Sequence, residues 1–220
     1  MYLSEIDEVY RSAMLDVSKQ LQNVYGTICR NKQIVQLDKT EITKTILLRL
    51  NVFYDCQEKN KHFLNKKIGG AAADFFVESI LFFLKVLNEV EGLKCEICSE
   101  KPIEQSRIRP DISIWQENQL LAIIECKTQL GWDRETWKSH FQNREKSLQQ
   151  QFPNAKAFLV VMSEINWPGF GNDSRVGQQF FALSKDIWPL NITQANIDKA
   201  IATPIELLFT QVIQIAKNRR

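Results

Sequence analysis

The sequence predicts an α/β fold: a mixed β-sheet core flanked by helices, with helical segments at both ends. Three observations lead there. Over residues 70–162 the hydrophobic period changes in the order helix, three strands, helix, strand. Residues 107–115 and 120–128 are strand-like runs, and the polar turn Gln116-Glu117-Asn118-Gln119 lies between them. Residues 157–162 are continuously apolar, as in a strand buried on both faces. That strand follows a helix, so it should lie parallel to the strand before the helix, joined by a right-handed crossover.

Each element has its own signal. Ile6, Val9, Tyr10, Ala13, Met14, Val17, Leu21 and Val24 share one helical face, and Ser4 with Asp7 resembles a cap. A second helix spans about 38–54, capped by Asp38 and Glu41, with Ile42, Ile46, Leu47, Leu50 and Phe53 inward. The polar run 57–67 reads as a loop and a boundary. Residues 70–90 form a helix apolar nearly all round, which must be buried on most sides, and Gly92 stops it. Residues 93–99 alternate as a strand. In 107–115, Ile108, Pro110, Ile112 and Ile114 oppose Arg109, Asp111, Ser113 and Trp115. Residues 133–152 read as an amphipathic helix with Trp137, Phe141 and Leu148 inward. Residues 180–183 suggest another strand. Thr203-Pro204-Ile205-Glu206 starts a last helix, with Thr203 as its cap.

Composition bounds the function. Of 220 residues, 44% are hydrophobic and 25% charged, an ordinary globular balance that excludes disordered and collagen-like chains. The net charge of +2 excludes a basic tail protein but not a locally basic groove. The most apolar stretch, 71–87, carries Asp74, Glu78 and Lys85, so no membrane span is expected. The early acids of the N-terminus do not form a signal peptide. Five cysteines, an odd number in a chain of this length, point to reduced thiols and a cytoplasmic location. Cys95 and Cys98 have CxxC spacing, but three apart in a strand puts them on opposite faces, so they read as core cysteines.

The chemistry concentrates in three residues. Glu125 and Lys127 close the apolar strand Leu120-Leu121-Ala122-Ile123-Ile124 and project from one face, about 7 Å apart along the chain. Asp111 follows Pro110, which removes a ladder donor and can bend its strand. Neighbouring carboxylates repel unless a cation lies between them. Oxygen donors of this kind suit magnesium, which uses one or two carboxylates and fills its shell with water and phosphate. The Cys126 backbone carbonyl is a further candidate ligand. Lys127 offers a compact positive charge to phosphate oxygens or to an attacking water. The reaction class needing this set is phosphodiester hydrolysis.

Pro110-Asp111, thirteen residues, then Glu125-Cys126-Lys127 resembles the PD-(D/E)XK nuclease signature, in a context covering roughly 68–165. The resemblance implies a restriction-endonuclease-like core over 61–165. An N-terminal helical segment would occupy 1–60, and a C-terminal extension over 166–220 would pack on the core. It also implies that Asp111 and Glu125 bind magnesium (manganese as substitute), that Lys127 assists the water, and that Glu78, on the helix before the first strand, supports the site. Glu78 is then an acid embedded among Phe75, Leu81 and Phe82, with Asp74 as its competitor. No Gln-x-x-x-Tyr follows the lysine, which disfavours the recombination-exonuclease branch. The expected activity is that of a type II restriction-like DNA endonuclease, working as a homodimer because cutting both strands takes two sites. Arg107, Arg109, Arg134 and Lys138 are candidate DNA contacts; Arg144 and Lys146 share the polar face of the 133–152 helix. The alternatives are a silent nucleic-acid-binding protein on the same fold, or a nuclease acting on RNA or branched DNA.

Overall fold

The computed structural model describes residues 2–103, 108–128 and 136–219. The chain divides into two compact units, Met1–Val35 and Gln36–Arg220.

The first unit holds α1 (Leu3–Ile6), α2 (Glu8–Arg30) and a 3-10 turn. The carboxylate of Glu5 accepts the Tyr2 N–H at 2.8 Å, so the helical start lies earlier than the expected Ser4–Asp7 cap. The amphipathic stripe is present, yet Ile6, Val9, Tyr10, Met14, Val17 and Val24 are all exposed.

The second unit is built on a five-stranded sheet in the order β1 (Glu96–Ser99), β2 (Ile112–Gln116), β3 (Gln119–Lys127), β4 (Lys156–Ser163), β5 (Phe180–Ser184). The β1–β2 and β2–β3 pairs are antiparallel, whereas β3–β4 and β4–β5 are parallel. This is the mixed α/β sheet that the periodicity predicts. The β2–β3 turn places Glu117 and Asn118 at positive φ, 50° and 63°, the combination a two-residue hairpin requires. Helix α5 (Trp137–Gln151) joins β3 to β4.

Side chains of β3, β4 and β5 alternate between the two faces. Ile123, Leu159, Val161 and Phe180 pack with Trp137, Phe141 and Leu148 of α5 and with the loop residues Trp167 and Phe170. Helices α3 (Glu41–Phe63), α4 (Ala73–Val90) and α7 (Ile205–Lys217) lie against the rest of the sheet, and α6 (Ile197–Ala200) touches α3. Burial on both faces explains why β3, β4 and β5 read as near-continuous apolar runs.

Four boundaries depart from the sequence reading. Helix α3 continues to Phe63, into the polar stretch expected to be loop, held by the Asp55–Lys59 and Glu58–Lys61 pairs of a solvated helix. Helix α4 starts three residues late because the Gly70 N–H is taken by the Gln57 side chain at 2.8 Å. Strand β1 starts at Glu96, not 93, because the Asn88 side chain bonds both the N–H and the carbonyl of Cys95, at 2.9 and 3.0 Å. Strand β2 starts only at Ile112, after Pro110 and an Asp111 whose side chain is engaged elsewhere.

The caps also differ. Neither Asp38 nor Glu41 caps α3. Its Ile42 and Thr43 N–H groups donate to the buried Glu206 carboxylate of α7 at 2.7 and 3.0 Å. In return, Thr43 Oγ1 accepts the Ile205 N–H at 2.9 Å, in the place expected for Thr203. The two helix starts cap each other. No helix among the described residues is long and apolar enough to cross a membrane.

Candidate active site

Strand β3 outlasts its partner β2. Their pairing ends at Ile112 opposite Ile124, while β3 remains paired with β4 through Lys127 opposite Val161. Beyond that end the Cys126 N–H donates to Asp111 Oδ2 at 2.7 Å. In a strand, the N–H and carbonyl of one residue point the same way. The Cys126 carbonyl therefore leaves the strand on the Asp111 side.

Glu125 and Lys127 share the face that carries Ile123. Lys127 Nζ donates to Asp111 Oδ2 at 3.0 Å and stands 3.5 Å from Glu125 Oε2. The ammonium lies between the two acids, on neither of which it turns its back. From α5, Arg144 donates through one nitrogen to Glu125 Oε2 at 2.8 Å and through another to the Arg109 carbonyl at 3.1 Å. Arg144 thus ties α5, the end of β3 and the segment leading into Asp111 to one point. Glu125 is 3% exposed, and its second oxygen, Oε1, is buried with no hydrogen-bond partner among the described residues.

The electrostatics follow from that burial. Desolvation pushes the Glu125 carboxyl above its ordinary value, although Arg144 and Lys127 pull it back; Asp111 adds to the rise. Burial works against the Lys127 ammonium, but the Asp111 and Glu125 carboxylates outweigh it and hold its pKa above that of an ordinary lysine. Lys127 is therefore a cation at neutral pH. Burial drives the Cys126 thiol well up, which keeps it protonated at neutral pH.

A cavity of about 580 Å³ opens beside this cluster, lined by Asp74 and Glu78 of α4 and by Asp111, Cys126 and Lys127. Glu78 is exposed, not embedded among apolar side chains as expected. Helical spacing puts Asp74, Glu78 and Lys85 on the open side of α4, while Phe76, Ile80 and Phe83 face inward. Both acids line the same space, and the half-buried Arg49 guanidinium of α3 interacts electrostatically with Glu78.

Magnesium takes one or two carboxylates and keeps several waters. Asp111, Glu125 with its unpartnered Oε1, and the Cys126 carbonyl fit that demand as a set of hard oxygen donors. No group of three or more His, Cys, Asp or Glu side chains able to hold a metal ion occurs among the described residues, so a site made of protein carboxylates alone is not formed.

The candidate DNA contacts are placed unevenly. Arg109 is bonded to the carbonyl and carboxylate of Glu100, at 3.0 and 2.5 Å. Lys138 pairs with Asp173 at 3.0 Å, beside Arg175. The Arg175 hydrogen bond holds the Asp173 carboxyl far below the usual carboxylate range. Arg107 and Arg134 lie outside the described residues.

The sequence reading took Arg144 for a phosphate-facing residue and missed its tie to Glu125. A signal was present. Trp137, Phe141 and Leu148 mark the inward stripe of α5, and position 144 falls on that stripe at three- and four-residue steps. An arginine on an inward stripe calls for a buried acid. Replacing Arg144 with methionine should destabilise the fold by about 2 kcal/mol, less than the ~3–5 for breaking a fully buried pair because Arg144 is one-third exposed. The sign of the pH dependence follows. The folded state raises the Glu125 pKa, so this group's stabilising contribution is present at low pH and lost as pH rises through that pKa. Removing Arg144 raises it further, so the gap between wild-type and Arg144→Met melting temperatures should widen from pH 5 to pH 8. A gap independent of pH would mean that Arg144 does not act on Glu125.

No protein-family model matches the chain, and no curated protein matches it either. What can be said of the site therefore rests on these residues and their geometry.

Proposed function

We propose that the chain is a magnesium-dependent endonuclease that hydrolyses phosphodiester bonds in DNA. The observation that carries this reading is the Lys127 ammonium between the Asp111 and Glu125 carboxylates at the mouth of an open, acid-lined cavity. Asp111, Glu125 and the Cys126 carbonyl would hold the ion, with manganese as a substitute. When bound, the ion supplies Lewis-acid stabilisation of phosphate charge and lowers the pKa of a bound water.

The chain's own residues do the rest. Lys127, kept cationic by the two acids, holds the attacking water or a phosphate oxygen by a compact charge. Arg144 orients Glu125 and fixes the approach to Asp111. Glu78 and Asp74 line the cavity and would support the site as acids facing the bound ion.

The test is incubation of the full chain with supercoiled plasmid, a branched duplex and single-stranded RNA, in magnesium, manganese or EDTA. Discrete DNA fragments that appear with either metal and vanish with EDTA are the expected result. Cleavage confined to RNA or to branched DNA replaces the substrate. Binding of all three with no cleavage in either metal overturns the enzymatic reading.

A further inference from the structure

We propose that the exposed stripe of α2 is covered by a second copy of this chain, the two helices pairing as a two-stranded coiled coil. The spacing comes first. Tyr10, Met14, Val17, Leu21, Val24 and Ile28 follow one another at steps of four and three, the 3.5-residue repeat that keeps one seam facing a partner helix. Tyr10, Met14 and Val17 are 65%, 60% and 72% exposed, so the seam is open where the repeat is cleanest.

Charge selects the occupant. Arg11, Ala13, Ser18, Gln20, Tyr25 and Thr27 flank the seam. Identical helices laid together bring no two like charges opposite each other, because only one of these residues is charged. A helix seated on a lipid surface needs a basic polar face. Here the outer face mixes Glu8 and Asp16 with Lys19 and Arg30, which gives an anionic surface no purchase.

The open stretch is long enough to pair. Val24 is 43% exposed as well, so open apolar side chains recur on the seam from Tyr10 to Val24, about four helical turns. This inference stands apart from the proposed chemistry, although two copies would also bring the two sites that cutting both strands requires.

The experiment is light scattering of the full chain after size exclusion, at concentrations from micromolar to tens of micromolar. The expected mass is twice 25.6 kDa. The double variant Val17→Glu, Leu21→Glu should raise the dimer dissociation constant at least about 100-fold by placing acids in the seam. Ser12→Lys, on the opposite face, should leave it unchanged. Thermal melts check that the second unit stays folded in both variants. A monomeric wild type overturns the proposal, whether or not it sediments with phosphatidylcholine vesicles. So does a dimer indifferent to the seam substitutions.

Discussion

Replacing Lys127 with alanine is expected to lower metal-dependent plasmid cleavage by about 100- to 1,000-fold, the range for losing one preorganised charge at a transition state. The affinity of the chain for the same DNA should stay within about threefold, since one phosphate contact is a small part of backbone binding. Lys127 is the only described cation within reach of both Asp111 and Glu125, because Arg144 contacts Glu125 alone of the two. Lys127→Arg should restore little. A planar, longer guanidinium cannot occupy the position of a compact ammonium 3.0 Å from Asp111 Oδ2. The measurements are initial cleavage rates with magnesium, DNA binding by fluorescence anisotropy, and a thermal melt to verify folding. Full cleavage by the alanine variant would remove Lys127 from the chemistry and reduce the cluster to a structural ion pair.

The second large effect is on stability. Glu206→Ala should destabilise the second unit by about 4 kcal/mol, in the range for breaking a buried charged network. For a chain of this size that lowers the melting temperature by roughly 8–16 °C. Glu206 is 1% exposed. It accepts the Ile42 and Thr43 N–H groups and the Thr43 hydroxyl, the last at 2.5 Å. Its loss strands two N–H groups at the positive end of α3. Thr43→Val should cost less, about 1–2 kcal/mol, since it removes the hydroxyl but leaves the carboxylate on the two amides. Equal melting temperatures for wild type and Glu206→Ala would show that α3 and α7 do not depend on this exchange.

These two results draw on different kinds of information. Lys127 was legible because strand period and chemistry coincide there: an apolar run buried on both faces cannot end in Glu-x-Lys without a reason. Glu206 was misread as the third residue of a cap for its own helix. Its partners Ile42 and Thr43 are more than 160 positions away, and no local pattern announces a carboxylate that caps another helix. Glu78 falls on the expected helix, but it is exposed where burial among Phe75, Leu81 and Phe82 was expected. Composition shows that α4 is apolar nearly all round, and only the packing of its neighbours decides which narrow stripe stays wet.

By itself the sequence determined the succession of helices and strands along the chain, the turn at Glu117-Asn118, and the placing of Glu125 with Lys127 on one face, all consequences of short-range period. The tertiary structure decided the rest. It sets how far β3 runs past β2, which turns the Cys126 N–H toward Asp111, and it brings Arg144 against Glu125. Those contacts depend on register and on the docking of α5, and both are settled by which apolar surfaces fit together, a property of the whole core and of no single segment.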